Sequence, residues 1–109
     1  MVGMTKLLRE ARMHTSQEDE LLRRARHDDH VRAVLLDIAD TLTTIKPWHN
    51  MAEGTRIARP LAVAERIHGR GQYADDIARA ALALMPIVDR DMSRGEYALI
   101  LRRAAGGAQ

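Results

Sequence analysis

Residues 31–45, VRAVLLDIADTLTTI, decide the fold. Val31, Leu35, Ile38, Leu42 and Ile45 step by four, three, four and three residues, the interval at which side chains return to one face of an α-helix. Val34, Leu36 and Ala39 widen that stripe. The face therefore suits a globular helical core better than the narrow seam of a two-stranded coiled coil. Towards the N-terminus, Thr15 with Glu18 has capping-box spacing, and Ser16 with Asp19 overlaps it. Together these predict one long helix from about Gln17 to Ile45. Asp19 with Arg23, Glu20 with Arg24 and Asp28 with Arg32 are acid-before-base pairs four apart, the favoured order on an exposed helical face. Met4, Leu7, Leu8 and Ala11 are also helix-spaced, so residues 1–14 read as an N-terminal helix or arm.

Towards the C-terminus, Lys46 and Pro47 end the long helix, because proline disfavours helical geometry in the residue before it and carries no amide. Trp48 and His49 fall in the turn. Asn50 with Glu53 repeats the capping spacing and opens a helix containing Met51, Ile57 and Ala58. Pro60 either kinks this helix or starts a new one that runs to His68. Gly69 and Gly71 stop it. A helix follows from about Tyr73 to Met85, with Ile77, Ala80, Ala81 and Leu84 facing inward. Ser93 with Glu96 forms a third capping box, with Met92 and Tyr97 at the spacing of a hydrophobic staple. The last helix, Arg94 to about Ala105, buries Tyr97, Ile100, Leu101 and Ala104, and residues 106–109 read as a frayed tail.

Composition agrees with that pattern. The apolar quota of 46% comes from Ala, Leu, Ile, Val and Met, with one Trp, two Tyr and no Phe, which favours helix over sheet. The expected fold is all-α: one domain over residues 1–109, a compact bundle of about five helices around one long central helix. So few aromatics make a thin core, and pairing as a homodimer is one way to complete burial. Without cysteine the chain offers no disulfide, thiolate metal site or cysteine nucleophile. Its longest apolar run, Ala80 to Met85, is far shorter than the roughly 20 residues of a bilayer span, and Lys6, Arg9, Glu10 and Arg12 interrupt any signal-like segment. A cytoplasmic setting without membrane partners is expected.

Chemistry is sparsely signalled. His27 and His30 stand three apart, and Glu65 with His68 has the spacing of a carboxylate di-iron motif, but no second such motif exists to complete it. Ser16 and Ser93 are better placed as helix caps than as nucleophiles, and no phosphate-binding or dinucleotide fingerprint occurs. No catalytic residue, metal site or cofactor is nominated.

The basic residues say more. Fifteen of the seventeen are arginines, and the net charge is +2. Arg56, Arg59, Arg66 and Arg70, with Val63 between them, step by three, four, three and four, so a continuous helix sets them on one stripe that is not matched by acids as the long helix's arginines are, unless acids such as Asp75, Asp76, Asp89 or Asp91 reach it from elsewhere. Such a stripe fits an anionic partner, either an acidic protein surface or a phosphate backbone. Trp48 in its turn and Tyr73 beside the glycines complete the candidate partner-binding set. The leading expectation is a non-enzymatic helical interaction protein, an inhibitor or adaptor binding a larger protein. Regulators carried by phages and mobile elements share this size and class. The alternative is a DNA-binding regulator. Helix, glycine turn and helix from Pro60 to Met85 have the order of a helix-turn-helix, and Ile77 and Ala80 fit it. Against it, Ile67 stands where a small residue is needed, and Arg70 and Gln72 where apolar ones are. The second alternative is a metal-dependent enzyme built on the histidines.

Overall fold

The computed structural model describes residues 20–106 apart from 21, 22 and 26. The expected N-terminal helix, the Thr15 and Asp19 spacings and the tail beyond Gly106 lie outside the described residues. Among the described residues four helices have defined bounds: α1 (Asp29–Thr44), α2 (Glu53–His68), α3 (Gln72–Leu84) and α4 (Arg94–Ala104). No strand occurs among the described residues, only an isolated antiparallel bridge between Asn50 and Ser93.

The expected long helix is divided at Asp28. Residues 20, 23–25 and 27 are helical, but Asp28 takes an extended backbone (φ −81°, ψ 119°), and its carboxylate accepts the amides of His30 at 2.8 Å and Val31 at 3.2 Å. A short carboxylate competes well for backbone amides, so aspartate caps a helix more readily than it continues one. Arg32, expected to pair with Asp28, lies 3.9 Å from Asp29 and donates through Nε to the Ala105 carbonyl at 2.8 Å. α1 is consequently 16 residues long, the same as α2.

α1 packs against each of the other three helices, most extensively on α4, while α2 and α3 form the second closely packed pair. Val31, Leu35, Ile38 and Leu42 are buried as their spacing predicts, and Val34 and Ala39 are fully enclosed beside them. Ile45, the fifth step of the seam, is 54% exposed because the helix ends at Thr44. The facing helices contribute largely small residues, including Ala64, Ala74, Ala81 and Ala98, with Tyr97 and Leu101 as the largest buried side chains of α4. Thr41, Thr43 and Thr44 turn their hydroxyls back onto the carbonyls of Asp37, Ala39 and Asp40 and so cover the last turns of α1.

Pro60 sits inside an uninterrupted α2 and is fully buried, so the helix neither stops nor restarts there. Asn50 does not cap it. The helix opens from Ala52 without a side-chain cap, Met51 is buried ahead of it, and Ile57 is 54% exposed. Gly69, at φ +79°, closes α2 in a conformation that favours glycine, and α3 begins three residues later. At α4 the serine half of the predicted box is formed: Ser93 Oγ accepts the Glu96 amide at 3.1 Å, while Glu96 Oε1 accepts from the Ser93 hydroxyl at 3.3 Å rather than from the Ser93 amide. Both staple residues, Met92 and Tyr97, are buried.

Candidate functional site

Of the six partner-binding candidates, the arginines separate first. Arg56 turns inward, its side chain only 11% exposed. It grips Glu53 through two hydrogen bonds, Nε to Oε1 at 2.5 Å and Nη2 to Oε2 at 2.7 Å. Its Nη1 donates to the Met85 carbonyl at 3.1 Å at the end of α3, and Glu53 Oε1 also accepts the Val88 amide at 3.0 Å. The paired guanidinium, followed by the Val88 amide, holds the Glu53 carboxyl below the usual carboxylate range, and the same contact raises Arg56. Tyr97 completes the cluster by donating to the Pro86 carbonyl at 2.6 Å, and burial pushes its phenol up to about 12. Glu53, Arg56 and Tyr97 thus hold the segment between α3 and α4. Arg56 is a structural residue rather than part of an open surface.

Two more members of the stripe also find carboxylates. Arg66 pairs with Asp37 of α1, and Arg70 lies 3.7 Å from Glu65. Val63, which links the stripe in sequence, is buried. Arg59 is exposed and makes no ion pair among the described residues. The acid for Arg66 stands 29 positions away on another helix, so no reading of α2 alone reveals it.

Tyr73 is half exposed and lies in a ring cluster that joins three helices. Its ring stands edge-on to His68 at 5.1 Å and to His30 at 5.8 Å, and the two imidazoles are 4.9 Å apart. The sequence pairs split in forming it. His27 lies before the Asp28 break, Glu65 turns to Arg70, and His30 meets His68 across the helix interface. His68 Nε2 is buried without a hydrogen-bond partner. Among the described residues no group of three or more potential metal ligands comes together.

Trp48 is the most exposed large apolar side chain among the described residues, at 73%. Its loop is nevertheless firmly held. A helix begins with amides that have no partner in the preceding turn, and α4 satisfies two of them with this loop: Arg94 N donates to the His49 carbonyl at 2.8 Å and Gly95 N to the Pro47 carbonyl at 2.9 Å. Met51 N bonds the Met92 carbonyl at 2.8 Å, His49 N closes on the Lys46 carbonyl at 3.0 Å, and Arg94 Nη1 reaches the Ile45 carbonyl at 3.3 Å. Lys46, at φ +50°, is the one non-glycine residue with positive φ among the described residues, a conformation that costs on the order of 1 kcal/mol or more.

The surroundings are apolar and basic. Ile45 is 54% exposed and Leu99 is 55% exposed. Leu99 lies between Gly95, bonded to Pro47, and Arg102, which reaches Asp40 at 3.1 Å and Thr43 at 3.2 Å. It therefore lies on the edge of α4 that borders the end of α1 and the Trp48 loop. Lys46 and His49 flank the indole in sequence, both exposed.

No protein family matches the chain, and no curated protein and no solved structure is significantly similar to it. Among the described residues no helix is long and apolar enough to cross a membrane.

Proposed function

We propose that this chain is a non-enzymatic helical interaction protein, an inhibitor or adaptor, that binds a larger protein with Trp48 as its anchor. The observation that carries the proposal is an indole 73% exposed on a loop tied by backbone hydrogen bonds to the start of α4. Covering an aromatic side chain contributes on the order of 4 kcal/mol before the costs of association, and tryptophan is enriched among residues that dominate binding energy. A loop already fixed loses little further entropy when its partner arrives. Ile45 and Leu99 extend the apolar contact, and Lys46 and His49 call for an acidic rim, so the fitting partner presents an apolar pocket bordered by carboxylates.

Duplex DNA has less to hold. Of Arg56, Arg59, Arg66 and Arg70, only Arg59 stands without a carboxylate beside it among the described residues. Its affinity for phosphate therefore draws on fewer free cations than the stripe promised.

The test is affinity capture from extract of the native host, with the wild-type chain and Trp48→Ala as parallel baits. The protein retained by the wild type is expected to bind Trp48→Ala at least tenfold more weakly, while the variant's helical circular dichroism and thermal midpoint stay close to wild type. Equal retention of that protein by both baits overturns the reading.

A further inference from the structure

A second apolar face lies away from the Trp48 loop. Between α2 and α3 runs an open groove of about 280 Å³, lined by Ile57, Pro60, Leu61, Ala78 and Leu82, with Asp75 and Arg79 on its rim. Ile57 is 54% and Leu61 40% exposed, one turn apart on α2, whereas Pro60 and Ala78 form a buried floor. Asp75 and Arg79 are exposed, and neither makes an ion pair among the described residues.

The arrangement of that rim selects the occupant. Asp75 and Arg79 are four residues apart on one face of α3, about 6 Å along its axis. An acid before a base at this spacing is suited to pairing within its own helix, yet here the two do not meet. Set a second α3 antiparallel to the first, with a two-fold axis level with residue 77, and each Asp75 comes level with the partner copy's Arg79. Two identical ion pairs then form by symmetry, which is the reciprocity an isologous interface requires. Ala78 lies between them and keeps the approach close, because interaxial distance falls with the size of the side chains at the contact. Ile57, Leu61 and Leu82 are covered in the same step. A foreign partner needs only charges complementary to the rim; a rim that is its own complement fits a copy of itself.

We infer that the α2–α3 groove is a self-association surface, through which two copies of this chain pair by apposing their α3 helices antiparallel. The inference uses none of the residues of the Trp48 surface. Sedimentation equilibrium of the full chain from micromolar to millimolar concentration tests it, with circular dichroism as a check on folding. The wild type is expected to form a reversible dimer. Asp75→Arg and Arg79→Asp, each of which sets like charges against each other, are expected to weaken association at least tenfold, and the double variant Asp75→Arg/Arg79→Asp to recover it to within about threefold of wild type. Leu61→Glu is expected to abolish association. A wild type that stays monomeric at millimolar concentration, single reversals that associate like wild type, or a folded double variant that stays dissociated each overturn the inference. Trp48→Ala is expected to associate normally, so failure here and failure of the partner-binding proposal are read separately; loss of association in that variant contradicts the assignment of the interface to the groove.

Discussion

At the scale of single residues, two aromatic side chains have opposite fates. Trp48 stands in water while its backbone is held, and Tyr97 is fully enclosed while its hydroxyl holds the Pro86 carbonyl. A lone tryptophan between Pro47 and His49 reads from sequence more readily as a lid over the core than as an exposed anchor, and the structure reverses that preference, with the indole 73% exposed. The amides of α4 decide between them, because by drawing the carbonyls of Pro47 and His49 towards the helix start they fix the loop with the indole outside. Tyr97 carries a pH signature. Its phenol is raised from 10.0 to about 12, so the unfolded chain loses the proton first as pH rises, and stability falls between about pH 10 and pH 12. The loss reaches about 2–3 kcal/mol at the top of that window. Tyr97→Phe is expected to cost about 1 kcal/mol at neutral pH through the lost hydrogen bond, and to lose less stability than wild type across the alkaline window in urea titrations. Equal alkaline losses in the two proteins contradict this account of Tyr97.

At the scale of elements, the helix faces were legible and the interruptions were less so. Periodicity in residues 31–42 located the buried side of α1, and Ser93 with Glu96 located the start of α4, because both signals are local. The break at Asp28 was hidden by the same residue's fitness as an i,i+4 partner for Arg32: one carboxylate supports both a continuous exposed helix and a cap. Asn50 and Glu53 misled for a different reason. Their spacing matched a capping box, but Glu53 is taken by Arg56 and the Val88 amide, and Asn50 pairs with Ser93. The arginine stripe was real as a spacing and lost as an open surface: Glu53 and Glu65, which pair with Arg56 and Arg70, stand close by in the sequence and were overlooked, whereas Asp37 and the Met85 carbonyl come from α1 and from the end of α3. The His30, His68 and Tyr73 cluster was invisible for the same reason, its members lying on three helices. At this scale Asp28→Ala is expected to lower stability by about 1 kcal/mol, as loss of a side-chain cap does, and to speed amide exchange at His30 and Val31. Unchanged stability and unchanged exchange contradict the division of the helix at Asp28.

At the scale of the whole molecule, a core built on small residues leaves several large apolar side chains outside it. Ile45, Trp48 and Leu99 gather where α1 and α4 meet the loop, and Ile57 and Leu61 line the α2–α3 groove. The sequence already pointed to partners through its scarcity of aromatics; it could not place the contact faces, because both are made from segments distant in the chain. The structure fixes the Trp48 loop through its backbone and leaves the indole bare, and the proposed function turns on that exposure. Trp48 is the only tryptophan, so fluorescence of the free protein reads this side chain alone. Iodide quenching combined with time-resolved anisotropy is the most direct measurement. The expected result is emission and quenching close to those of free tryptophan in water, with a substantial part of the anisotropy decaying at the tumbling rate of the whole protein, as a fixed loop requires. Blue-shifted emission shielded from iodide, or anisotropy lost entirely before the protein tumbles, would contradict it.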